Sequence, residues 1–169
     1  MKRFAMGLLV LLTLAVPASA FWPFSSPDAP YVTQENTQER ALEEVVRKEW
    51  SVTADWSGDP GRVEKIELYK QVQGGVAVHL TVRLDDKYSG SGTLNAFAEG
   101  VSSVLVAALR EPKLSGITEF RFFGEAEGKG INVVKMNVSR GDAERVTKGM
   151  KMNELKSLAM PGSFWTALR

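Results

Sequence analysis

The sequence predicts an α+β fold: a four-stranded antiparallel sheet with helices packed on one face, in the order αββαββ, followed by a short C-terminal helical tail. Three observations carry this. Val76–Leu84 alternates cleanly, with Val76, Val78, Leu80, Val82 and Leu84 on one side and Ala77, His79, Thr81 and Arg83 on the other. Thr93–Arg110 places Leu94, Phe97, Val101, Val104, Leu105, Ala108 and Leu109 on one side of a helix. Two pairs of strand signals, each preceded by a helical pattern, are joined by glycine-containing turns.

Taken in order, residues 1–20 read as a signal peptide. Lys2 and Arg3 are its basic start, Leu8–Val16 its apolar centre, and Ala18-Ser19-Ala20 an A-x-A cleavage site. The apolar run is shorter than the roughly 20 residues needed to cross a bilayer, and no second apolar run is expected to approach that length. Residues 21–33 carry Pro23, Pro27 and Pro30 and read as an extended, aromatic-rich linker. Residues 34–169 are expected to form a single domain, the size of one ordinary hydrophobic core.

That domain opens with a helix capped by Asn36 and Glu39 and running to about Trp50, with Ala41, Leu42, Val45, Val46 and Trp50 inward. A turn-rich connection follows at 51–61. Its Asp55, Ser57 and Asp59 alternate as in a calcium loop, but Pro60 and Ile66 stand where that loop needs Gly and Glu. Arg62–Val72 reads as a bulged strand, Gln73-Gly74-Gly75 as its turn, and Val76–Leu84 as the partner. The loop 85–92 is glycine-rich but matches neither a Walker A nor a dinucleotide fingerprint. After the central helix, Pro112 forces a stop. Ile117–Ala126 and Ile131–Ser139 form the second strand pair, with Phe120 and Phe122 on one face and Phe123 on the other. In the tail, Asp142–Met150 and Asn153–Ala159 read as short helices, broken at Pro161-Gly162. The two αββ halves match in hairpin length and turn position, which is the pattern of a worn duplication.

Composition excludes several chemistries. There is no cysteine, hence no disulfide, thiol nucleophile or zinc–thiolate site. The only histidine, His79, cannot form a histidine-based metal cluster, and no serine lies in a G-x-S-x-G elbow. Loss of Lys2 and Arg3 with the leader takes the formal charge from +1 to −1, so no nucleic-acid footprint is expected. No cofactor or metal is implied.

These features predict an exported, non-enzymatic protein of the cell envelope, periplasmic or secreted, acting as an interaction or accessory module. A second reading is a carrier of an apolar or lipid-like ligand, with Phe120, Phe122 and Phe123 lining its pocket; a third is a hydrolase with an unrecognised site. Interaction residues are expected in the aromatic arm, at Phe21, Trp22 and Phe24, and on the central helix, at Ala96, Gly100, Ser103 and Ala107. The partner is an unidentified protein or a second copy. The aromatic arm could touch a membrane without crossing it. The helix residues are all small and face away from the predicted core, where a solvated helix would carry charge. Small residues at this spacing let a second helix approach closely. The helix is therefore expected to be covered on both sides, by the sheet on one and by the first helix, the tail or another subunit on the other.

Overall fold

The computed structural model describes residues 28–30, 37–52, 63–84, 91–126 and 130–168. The predicted signal peptide, the residues Phe21, Trp22 and Phe24, the Asn36 cap, the Asp55–Asp59 stretch and most of the 85–92 loop lie outside these. The elements run β1 (Asp28–Pro30), α1 (Thr37–Val52), β2 (Val63–Gln71), β3 (Val76–Leu84), α2 (Ser91–Arg110), β4 (Ile117–Ala126), β5 (Ile131–Ser139), α3 (Arg140–Ala143), α4 (Met152–Leu155) and β6 (Trp165–Thr166). Short 3-10 turns occupy Pro112–Leu114 and Lys156–Leu158.

The class is α+β, but the sheet corrects the prediction in two ways. Among the described residues it has six strands in the order β1-β2-β3-β4-β5-β6, and it is mixed, because β3 and β4 are parallel. The lengths of the elements explain the parallel pair. Nine residues of β3 carry the chain about 30 Å along the sheet. Twenty residues of α2 bring it back by about 30 Å. The next strand must then start at the end where β3 started, which makes the neighbours parallel. The additional strands are short edges: β1 pairs Asp28–Pro30 with Tyr69–Gln71, and β6 pairs Trp165 and Thr166 with Lys135 and Val134.

The same topology bears on the apparent duplication. Seen from the helix side with the first strand of each hairpin pointing up, β3 lies on one side of β2 and β5 on the opposite side of β4. The two αββ halves therefore have opposite hands, and no rotation superposes one on the other.

The turn between β2 and β3 closes with Gly74 donating to the Gln71 carbonyl at 3.0 Å. Gly74 and Gly75 there take φ of 91° and 88°, the left-handed region that glycine enters without a Cβ penalty. The bulge expected in β2 falls between Val63 and Lys65.

α1 and α2 share one face of the sheet. Leu42, Val46, Phe97, Leu105, Phe120 and Phe122 meet there with at most 1 % of their surface exposed. At about 25 cal/mol per Å² of apolar area, this layer is the main stabilising contribution to the fold. The expectation that no second apolar run approaches membrane-spanning length is corrected here: α2 is long and apolar enough by length and composition to cross a bilayer, and its burial against the sheet and α1 accounts for that apolarity.

The tail is less helical than expected, with α3 and α4 only four residues each. Ser139 caps α3 by accepting from Asp142 N, and Lys151 rather than Asn153 stands at the N-cap of α4. Side chains of α2 hold the tail in place. Ser102 Oγ accepts from Gly149 N at 3.1 Å and Asn95 Oδ1 from Met152 N at 3.2 Å. The tail then crosses to the sheet edge, where Met160 N donates to Asn137 O and Ala167 N to Val133 O, both at 2.8 Å.

Candidate functional site

Strand alternation sends every second side chain of the long strands to the side away from the helices. No described element covers that side. The pairing registers place its residues in level rows across the sheet. One row is Glu67, His79, Arg121 and Asn137; the next is Tyr69, Ala77, Glu119 and Ser139; on the other side lie Lys65, Thr81, Phe123, Lys135 and Trp165.

Glu119 is the hub, 8 % exposed. Arg121 grips it with two bonds, Nε to Oε1 at 2.8 Å and Nη2 to Oε2 at 3.0 Å. Asn137 Nδ2 donates to Oε1 at 3.1 Å, and Gln71 Nε2 donates to Oε2. Four donors fill the roughly four lone-pair sites of the carboxylate. A carboxylate so buried would be costly alone, and the bidentate guanidinium pair offsets that cost.

The remaining Arg121 nitrogen, Nη1, lies 2.8 Å from His79 Nε2. Arginine only donates, so Nε2 is the accepting nitrogen of this contact. Tyr69 leans on this ring with centroids 4.2 Å apart, and Phe123 approaches its other side at 5.5 Å. Ala77, fully covered, leaves the room between Tyr69 and Glu119 that a larger side chain would fill. Tyr69 donates its hydroxyl to Glu67, which also pairs with Lys65 at 2.7 Å. Partial burial works to raise the Glu67 carboxyl, but the bonds from Lys65 and Tyr69 outweigh it and hold Glu67 below the usual carboxylate range. Trp165, half exposed, extends the aromatic strip towards the far edge.

The arrangement is a flat polar and aromatic platform whose charged groups are bonded to one another. Among the described residues no cluster of His, Asp and Glu has the grouping to hold a metal ion. Of these side chains, only His79 and the Phe123 face were singled out by sequence reasoning. Glu119, Arg121 and Phe123 alternate on β4, which was the available signal; their juxtaposition with His79 needed the parallel register.

The sequence-predicted residues fall elsewhere. Phe120 and Phe122 are sealed in the core, at 0 % and 1 %, while Phe123 lies on the opposite face, so the three do not share a surface. Gly100 is buried beneath Trp50 of α1. α1 and the tail both lie on α2, as the stripe of small residues implied. Ser103 and Ala107 border a cleft of about 290 Å³ between α1, α2 and the tail, while Ala96 is half-buried away from it.

Comparison with known proteins finds no matching family model, no significantly similar curated protein and no significantly similar solved structure.

Proposed function

We propose that this chain is an exported cell-envelope protein acting as a non-enzymatic interaction module, and that it docks a protein partner on the helix-free face of its sheet. The observation that carries this reading is the platform itself. Tyr69, His79, Phe123 and Trp165 supply aromatic contact area, and Arg121 is held rigid by Glu119. Aromatic and arginine side chains are the ones that dominate protein–protein contacts, and little is lost on binding when they are already immobilised. Lys65, Arg83, Glu125 and Lys135 give the face a mixed-charge rim that suits a polar partner surface. Export rests on the basic start, apolar centre and A-x-A site of residues 1–20.

The test is a photo-crosslinking residue placed singly at Thr81, Lys135 or Glu44 in cells expressing the full chain, after fractionation. The reading predicts a periplasmic or secreted protein that forms one discrete crosslinked species from Thr81 and Lys135 and none from Glu44 on the helix side. Equal crosslinking from all three positions, or retention in the cytoplasm, contradicts it.

A further inference from the structure

The cations of the helix-free sheet face are unequally committed. Lys65 is held by Glu67 at 2.7 Å, Arg83 by Glu64, and Arg121 by both oxygens of Glu119. Lys135 on β5 is exposed and has no carboxylate bonded to it among the described residues. The carboxylates are differently placed. Glu67 and Glu119 each already meet a cation, and Glu125 is registered beside Arg83, one row further along the sheet.

Register sets Lys135 between two aromatic residues, as the partner of Phe123 on β4 and of Trp165 on β6. Residues paired across antiparallel strands share a face, with Cβ atoms about 4.5–5.5 Å apart. Phe123, Lys135 and Trp165 therefore make a stripe about 10 Å long, two strand spacings. Trp165 is 50 % exposed and Phe123 half-buried, so both rings keep surface for a partner. A solvated ammonium there costs nothing. Once a protein covers the stripe, that ammonium loses its water, and an apolar or cationic surface would leave it uncompensated. A carboxylate restores the balance. Flanking rings keep water out of the contact, which strengthens an ion pair formed between them.

We propose, resting on the docking reading above, that the docked protein presents an acidic side chain to Lys135, seated between Phe123 and Trp165. The partner surface is thus acidic at this point, and Lys135 selects against a basic one by charge repulsion.

The test treats the full chain, in the freshly prepared cell fraction that holds it, with a water-soluble carbodiimide. This reagent joins a lysine amine to a carboxylate where the two are in contact. The expected product is an amide between Lys135 and an Asp or Glu of the same protein that a photo-crosslinker at Thr81 captures. Lys135→Arg keeps the charge but not the amine, so carbodiimide coupling should vanish while the Thr81 crosslink stays within about twofold of wild type. Lys135→Glu should lower the Thr81 crosslink by about tenfold or more. Lys135 is exposed, and a thermal melt of each variant equal to wild type shows that the fold is intact. A Thr81 crosslink undiminished in Lys135→Glu, or a captured partner with no carboxylate coupled to Lys135, overturns the proposal while docking itself stands. Absence of any Thr81 crosslink in the wild-type background overturns both, so the two failures are told apart.

Discussion

Gly100→Ala should destabilise the protein, although alanine in place of a mid-helix glycine normally stabilises by about 1 kcal/mol. A Cβ at Gly100 would lie 2.8 Å from Trp50 Cη2 and Cζ2 and 2.9 Å from Cε2. Carbon pairs rest at about 3.5–4.0 Å, so the methyl group overlaps the ring by roughly 1 Å. The ring has little freedom to yield. It is 1 % exposed and packs edge-on against Phe97, with centroids 6.1 Å apart at 66°. Overpacking of this kind costs about 1–3 kcal/mol, which leaves a net loss of about 1 kcal/mol and at most about 2. For a domain of this size that lowers the Tm by roughly 2–8 °C. The assay is urea unfolding followed by circular dichroism, with two controls. Gly92→Ala, where the new methyl group meets nothing within 4 Å outside its own helix backbone and chain neighbours, should not destabilise. In a Trp50→Phe background the smaller ring makes room, so Gly100→Ala should become neutral or stabilising, with a coupling of about 1–3 kcal/mol. If Gly100→Ala stabilises the wild-type background as a free helix position would, α1 does not sit on α2 and the packing described here is wrong.

Three further outcomes follow from the same geometry. Glu119→Ala strips the partner from a guanidinium whose side chain is only 18 % exposed and leaves Gln71 and Asn137 donors unmet; it should cost about 2–4 kcal/mol in urea unfolding, and Glu119→Ala with Arg121→Met should cost less than Glu119→Ala alone. Gly124→Ala would set a methyl group against Val134 and 2.6 Å from Leu84 Cδ1 between two buried strands; a loss of about 1–3 kcal/mol is expected, seen as a lower urea midpoint at unchanged slope. Glu67 has a folded value below its unfolded one of about 4.5, so its stabilising share is fully present above that pH and is lost as pH falls through the folded value. Thermal melts of wild type and Glu67→Gln should therefore differ at pH 6 and converge as the pH is lowered from 4.5 through the depressed folded value.

Much of the fold was legible because it is written in local patterns. The alternation of Val76–Leu84, the helical spacing of α2 and the turn glycines Gly74 and Gly75 each specify an element without reference to the rest. The stripe Ala96, Gly100, Ser103 and Ala107 even indicated that α2 has neighbours on two sides. The mixed sheet was less evident, since strand direction depends on where a crossover delivers the chain. The matched lengths of β3 and α2 held that information. The short edges β1 and β6 carry almost no pattern, and tertiary hydrogen bonds rather than propensity hold β6. Neither the platform nor the cleft could be read from spacing. Glu119 meets Gln71 from 48 residues away and Arg121 meets His79 from 42, and both contacts exist only once β3 and β4 lie parallel.

Oxidative footprinting in intact cells tests most directly whether the helix-free sheet face docks a protein, as proposed. Tyr69, Phe123 and Trp165 report that face, and Met150 and Trp50 report the helix side and the core. With a protein docked there, Tyr69, Phe123 and Trp165 are labelled in the purified protein and protected in cells, while Met150 and Trp50 label equally in both. Equal labelling of Tyr69, Phe123 and Trp165 in the two conditions would contradict it.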